Sequence, residues 1–189
     1  MAPKNAISKD RYDRERWIVA ALNVLTEKGS ERITVRQLSQ ELGVTTGSFY
    51  WHFGSREDLV RAIADHWYER FTVGLGKAIE AAAPDPAARL LALMKALATD
   101  EYSRFEIPVR AWSAEEPILA KTVNKADRYR TRVVSELFQA LGFEEPELGM
   151  RVRTFVVFHS TDIAFGKAAR TYDARMAEAE LRHEFFTRE

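Results

Sequence analysis

No cysteine occurs among the 189 residues. A disulfide framework and a thiolate metal site are therefore excluded, and a reducing compartment suits the chain. No stretch approaches eighteen consecutive apolar residues, so a membrane span is not expected. The opening MAPKNAISKDRYDRER likewise lacks the apolar run of a signal peptide, and a cytoplasmic location follows as the expectation. Sustained period-two alternation is missing too, which argues against strands. There is no G-x-S-x-G elbow, phosphate loop, dinucleotide fingerprint or H-E-x-x-H, so neither catalysis nor a cofactor is expected. Net charge is also lacking, with 28 basic and 28 acidic residues. The balance is uneven, however: up to Arg56 nine Lys or Arg face six Asp or Glu, an excess of three offset by the remainder. A nucleic-acid partner needs a local basic surface rather than a basic chain.

What is present is a chain 46% hydrophobic and 30% charged, the composition of an ordinary globular protein of one or two domains. From Thr34 to Leu42 it reads TVRQLSQEL, with Val35, Leu38 and Leu42 at helical spacing. Thr34 and Gln37 fit a capping box that starts this helix. Gly43 stands where a left-handed residue ends it, and Thr45 is placed to cap the next. In that second helix, to Phe53, Phe49 and Phe53 lie four apart and can plug a core. Thr46, Gly47, Ser48, Tyr50 and His52 cannot all be buried with them. Small residues at its start let the backbone approach base edges, and the helix start favours phosphate. Tyr50, His52 and Arg56 supply further donors to phosphate oxygens. In an ordinary helical bundle the interior glycine would cost about 1 kcal/mol with no return. The pattern predicts a helix-turn-helix, and with it DNA binding.

Residues 11 to 60 resemble the DNA-binding domain of the TetR family of transcriptional regulators. The likeness is carried by the amphipathic RYDRERWIVAALNVLTEKG, then ITVRQLSQELGV, TTGSFYWHF and SREDLVRAI. It implies a homodimer on double-stranded, palindromic operator DNA, usually a repressor released by a small-molecule effector of unknown identity. On this resemblance Arg36, Thr45, Thr46, Gly47 and Ser48 face bases, while Thr34, Tyr50, His52 and Arg56 face phosphates. Threonines and a glycine offer few bidentate base contacts, so Arg36 and DNA shape carry much of the expected specificity. Lys4, Lys9, Arg11 and Arg14 form either a basic arm on the DNA backbone or a solvated terminus.

Beyond Arg56 every segment reads helical. Ser55 and Asp58 open a helix with Leu59, Ile63, Trp67 and Phe71 on its apolar face, running to about Ala82 and roughly 40 Å long. Asp85-Pro86 starts the next, to about Thr99. Further helices are expected over Ser103–Trp112, interrupted by Pro108, over Glu116–Leu141, stopped by Gly142, over Pro146–Lys167, and over Asp173–Arg188. The expected fold is thus all-α with about nine helices. A three-helix head, residues 1–56, is joined by the long helix to an effector-binding and dimerisation domain, residues 57–189.

Two of these helices suggest the dimer. Glu116–Leu141 carries Val123, Val133, Val134, Leu137, Phe138 and Leu141, and Pro146–Lys167 carries Phe155-Val156-Val157-Phe158, apolar over too much circumference for one buried face. Full burial within one subunit is the competing account. Candidate ligand-pocket residues are Trp67, Phe71, Met94, Tyr102, Phe105, Arg110, Trp112, Phe155, His159 and Asp162, although most of the aromatics suit a plain core better. His159 and Asp162 can form an ion pair, contact a ligand or contribute to a metal site, the last being the weakest since no third ligand has telling spacing. Phe105, Arg110 and Trp112 suit an aromatic or amphipathic, even anionic, ligand. Arg110 can equally pair with Glu106, Glu115 or Glu116 on the surface.

Overall fold

Three of the expected helix starts, Thr34, Ser55 and Asp85, take up otherwise orphaned backbone donors. In the computed structural model, which describes residues 4–161 and 171–188 (side chains from residue 14 onward, Ser103 excepted), Thr34 accepts from Gln37 N at 3.2 Å and opens α2, Val35–Leu42. Only half of the capping box forms. Gln37 donates its side-chain amide forward to Glu41 at 3.0 Å, and the Thr34 N–H goes to Arg32 O at 2.9 Å. Gly43, at φ 66° and ψ 31°, takes the left-handed turn that a side chain would strain. Thr45 occupies the cap position of α3, Thr46–His52, but its hydroxyl caps nothing; only its carbonyl joins the helix, accepting from Ser48 N at 3.0 Å.

These elements belong to the first of two compact units, Met1–Trp67 with Pro108–Thr122. Its first helix, α1, spans Lys4–Lys28, and α4 spans Arg56–Tyr68, begun by Ser55 accepting from Asp58 N at 3.1 Å. Phe49 and Phe53 fill the core as their spacing requires. Their rings stack at 5.2 Å, and Trp17 meets Phe49 edge-on at 5.4 Å. Such aromatic pairs are worth about 0.5–1.5 kcal/mol each beyond burial.

The second unit is Tyr68–Ile107 with Val123–Glu189. The long helix is present from Arg56 to Ala82, but it is not uniformly α. Glu69–Gly74 winds as a π turn before α5, Leu75–Ala82, while the backbone stays right-handed at Tyr68, Gly74 and Leu75. A Cβ on Gly74 would stand 2.9 Å from Glu69 O, so the wide turn requires glycine there. Alanine normally stabilises a helix interior by about 1 kcal/mol over glycine. Here Gly74→Ala is expected to do the opposite, destabilising by about 1–3 kcal/mol in urea unfolding; a stabilised variant would show that the wide turn is dispensable.

Asp85 caps α6, Pro86–Leu97, by accepting from Ala88 N at 2.9 Å, with Pro86 in the first turn as expected. The helix expected over Ser103–Trp112 is α8, Glu106–Ser113, and a separate short helix, α7 at Asp100–Ser103, precedes it. Pro108 lies in the first turn of α8, where the backbone N–H has no intrahelical acceptor to lose, so proline interrupts nothing. Next come α9, Pro117–Ala140, α10, Glu147–Thr161, and α11, Tyr172–Thr187. Gly142, at φ 94°, turns the chain after α9.

Leu90, Met94, Phe138, Phe155 and Phe186 centre the second unit's core. Arg151 on α10 fastens α11 over it: buried, it lies on the Phe143 ring and donates to Phe186 O and, at 2.7 Å, to Arg188 O. These carbonyls at the helix end have no partners within the helix, and a cation there also suits the dipole. Arg151 meets residues 186 and 188, Phe155 meets Phe186, and Arg182 lies over Phe158, so α10 and α11 run antiparallel side by side.

Candidate nucleic-acid interface and ligand cavity

The inward aromatics of α3 fix which residues face out. With Phe49 and Phe53 buried, Thr45, Thr46, Gly47 and Tyr50 are exposed, and Ser48 and His52 are half-buried. Thr34 and Arg36, at the start of α2, are exposed as well. Trp51, which sequence reasoning passed over as one more apolar residue, is 86% exposed, and its neighbour Tyr50 is 64% exposed. An indole held in water on a short helix costs hydrophobic free energy unless something covers it. The sequence signal for it was that Phe49 and Phe53 already occupy the inward face.

Arg56 is placed differently from the other expected phosphate contacts. Within the first unit its guanidinium lies 3.5 Å from Glu116 Oε2 and 5.9 Å from the Trp112 ring centre, and its Nε donates to Ile33 O at 3.5 Å. Arg14 lies over the Phe53 ring at 4.9 Å; the side chains of Lys4, Lys9 and Arg11 are outside those described.

Residues 18–63 match the family model described as bacterial regulatory proteins, tetR family. Over that stretch the chain is similar to the DNA-binding head of TetR-family regulators. Over 54 residues it is 41% identical to the tetracycline repressor protein class D of Escherichia coli, covering 29% of this chain and 25% of that protein. Over 63 residues it is 36% identical to the HTH-type transcriptional regulator TtgW of Pseudomonas putida, covering 33% of this chain and 46% of that one. The matched segments thus span about a quarter to a half of these relatives. The fold likeness extends further. A transcriptional regulator from Rhodococcus superposes with a TM-score of 0.74 at 20% identity, over 92% of this chain and 95% of that one. A TetR transcription regulator from Haloarcula marismortui does so with a TM-score of 0.73 at 17% identity, over 94% and 97%.

The second unit holds a cavity of about 70 Å³. Of the expected pocket residues, Phe71, Tyr102, Phe155 and His159 line it. Met94 and Phe105 are buried in the same unit without reaching it, Phe105 packing on Phe71 at 5.3 Å. Trp67, Arg110 and Trp112 belong to the first unit, and Asp162 lies outside the described residues. His159 Nδ1 donates to Phe155 O at 2.8 Å, and among the described residues no group of His, Asp or Glu is arranged to hold a metal.

The cavity's polar end is built around Arg130, which the sequence did not single out. Arg130 grips Glu106 with two bonds, 2.6 and 3.1 Å, and donates to Thr72 Oγ1 at 3.0 Å. Glu106, one of the carboxylates considered as a surface partner for Arg110, is only 5% exposed. Nearby, burial pushes the Tyr129 phenol above its ordinary range, and the Tyr68 phenol adds to the shift, so Tyr129 stays a neutral donor.

Proposed function

We propose that the protein is a cytoplasmic transcriptional repressor that binds a palindromic operator as a homodimer and is released by a small-molecule effector held in the second unit. The observation that carries this reading is the outward face of α3, where small residues and two exposed rings surround a helix start of the TetR type. Arg36 and the residues from Thr45 to Ser48 read bases, while Thr34, Tyr50, Trp51 and His52 hold the backbone. Arg56 reaches a phosphate once it lets go of Glu116, an exchange that costs little because exposed ion pairs are worth about 0–1 kcal/mol.

The dimer surface is assigned to α10 and α11. The run at 155–158 divides between two environments: Phe155 is in the core and Val157 is 62% exposed. Met150 and Val157 on α10, with Leu181 and Phe185 on α11, are exposed apolar side chains at helical spacing on adjacent helices. The apolar residues Val123, Val134, Leu137 and Phe138 of α9 are buried in their own unit instead. Release is linkage: an effector preferring a conformation unsuited to DNA needs about 2.7 kcal/mol of differential affinity for a 100-fold effect.

Selection of bound duplexes from random DNA tests the head. Arg36→Ala is expected to cost about 1–3 kcal/mol and to relax preference at one position per half-site, whereas Tyr50→Phe weakens all sequences alike. An unchanged motif and affinity in Arg36→Ala would remove that residue from the base-reading set.

A further inference from the structure

A second hollow of the same unit lies between α5, α6 and α9, and at about 380 Å³ it is larger than the cavity beside it. Its α9 wall runs from Tyr129 to Ala140, about 16 Å of helix, so it is a slot. Ile79 of α5, Leu93 of α6, and Val133 and Leu137 of α9 give it apolar sides. Tyr129 stands at the end that the slot shares with the small cavity. A Cβ on Gly76 would lie 3.0 Å from the Tyr129 hydroxyl, so glycine is what lets the phenol close against α5. The slot holds more than twice the roughly 150 Å³ that takes benzene, so a ring with a short chain fits without displacing a wall.

The charged residues on its lining are Glu80, Arg89, Arg132 and Glu136. Arg132 and Glu136 are exposed, one turn apart on α9, with Nε 3.9 Å from Oε1, and the Arg132 guanidinium lies 5.3 Å from the Tyr129 ring centre. Arg89 is held differently. Half-buried on α6, it donates from Nε to Ala83 O at 3.0 Å, at the end of α5. That bond fixes the guanidinium and leaves its two Nη atoms for a partner, and among the described residues no carboxylate pairs with it. A planar fork of this kind takes a carboxylate through two parallel bonds. Tyr129, kept neutral by burial and by the Tyr68 phenol, adds a donor and no negative charge. The four lining charges sum to zero, so a ligand's first negative charge is met by Arg89 and a second meets only Glu80 and Glu136. An ammonium finds only those exposed, unfixed carboxylates, which hold an ion weakly. We infer that the slot between α5, α6 and α9 binds a slender amphipathic monocarboxylate, its apolar body along Leu93, Val133 and Leu137 and its carboxylate on the Arg89 fork. The inference rests on the proposed reading of the second unit as the effector-binding part, and gives that effector a chemical class.

The test is calorimetric titration of the full chain, at mildly alkaline pH, with 4-phenylbutanoate, its amide, protonated 4-phenylbutylamine and dianionic 4-phenylbutylphosphonate. The carboxylate is expected to bind at least about tenfold more tightly than the amide or the amine, and no more weakly than the phosphonate. Arg89→Gln keeps a donor for Ala83 O and loses the cation. In that variant the carboxylate is expected to weaken at least about tenfold and the amide by less than about twofold. Ile79→Trp, or Ala140→Trp on the exposed end should the first not fold, fills the slot and is expected to abolish carboxylate binding. The inference is overturned if Arg89→Gln weakens carboxylate and amide equally, since Arg89 would then only shape the slot. It is overturned as well if the amide or the amine binds wild type as tightly as the carboxylate, or if the phosphonate binds more tightly. Absence of binding at millimolar concentration, or carboxylate affinity that survives in a folded filled variant, has the same force. Operator affinity measured beside each titration keeps the two readings apart. Carboxylate bound through Arg89 without operator release overturns the release mechanism and leaves the ligand class standing.

Discussion

Glu106→Ala is expected to destabilise the second unit by about 3 kcal/mol, a large part of the 5–15 kcal/mol that holds a typical domain folded. The carboxylate is buried and takes both ends of the Arg130 fork, so alanine removes both of those charge-assisted bonds. Breaking such a pair costs about 3–5 kcal/mol, and the lower figure applies because the Arg130 side chain keeps 22% of its surface in water. Removing both charges is a different experiment. Glu106→Leu with Arg130→Met removes the two facing charges together, and the double variant is expected to recover most of the loss. Urea unfolding of the two single variants and the double closes the cycle. A cost below about 1 kcal/mol for Glu106→Ala would mean that the pair behaves as a solvated surface bridge.

Charging the outer face of α10 and α11 is expected to have the second large effect. Val157 and Phe185 are 62% and 70% exposed, so glutamate at both positions should change the protomer's own stability by no more than about 0.5 kcal/mol per site. Two such charges on a self-complementary surface meet their own copies across the symmetry axis, where desolvation and like-charge repulsion add. Wild type should sediment as a dimer at micromolar concentration and Val157→Glu/Phe185→Glu as a folded monomer. Losing the link between two half-sites should weaken operator binding by about 100-fold or more. A monomeric wild type, or a double variant that stays dimeric, would refute the assignment. Glutamate at the neighbouring Val156 would be ambiguous, because that side chain lines the cavity and packs on the core.

Local signals were legible in the sequence, and long-range ones were not. Thr34, Gly43, Asp85-Pro86 and Gly142 act within four residues of themselves, and each turns the chain or opens a helix where its chemistry says it should. Phe49 and Phe53 declared the inward face of α3 by their spacing, and through it the outward one. Arg130 was not legible, because it is one of several arginines on α9 and its partner lies 24 residues away on another helix. Nor was the π turn, which leaves no periodic mark in six residues; a glycine at position 74, in the middle of a long helix, was its only trace. Trp112 and Arg110 looked like pocket residues because they follow Pro108 closely, yet in the fold they group with the first unit. The pocket residues that did come together, Phe71, Tyr102, Phe155 and His159, sit on three different helical segments. Composition had placed them correctly inside but could not say which of them share a wall.

The exposure of Trp51 has an optical consequence. The other three tryptophans, Trp17, Trp67 and Trp112, are buried in the first unit, so their emission lies to the blue and small quenchers reach them slowly. Trp51 alone emits from water, at the red edge of the spectrum, and stands on the surface where bases or phosphates would arrive. Dissolved iodide therefore extinguishes one indole of four, and a duplex lying over α3 shields that indole from it. Occupancy of the operator can be followed in the unlabelled, unaltered chain as the fraction of red-edge light that iodide no longer removes.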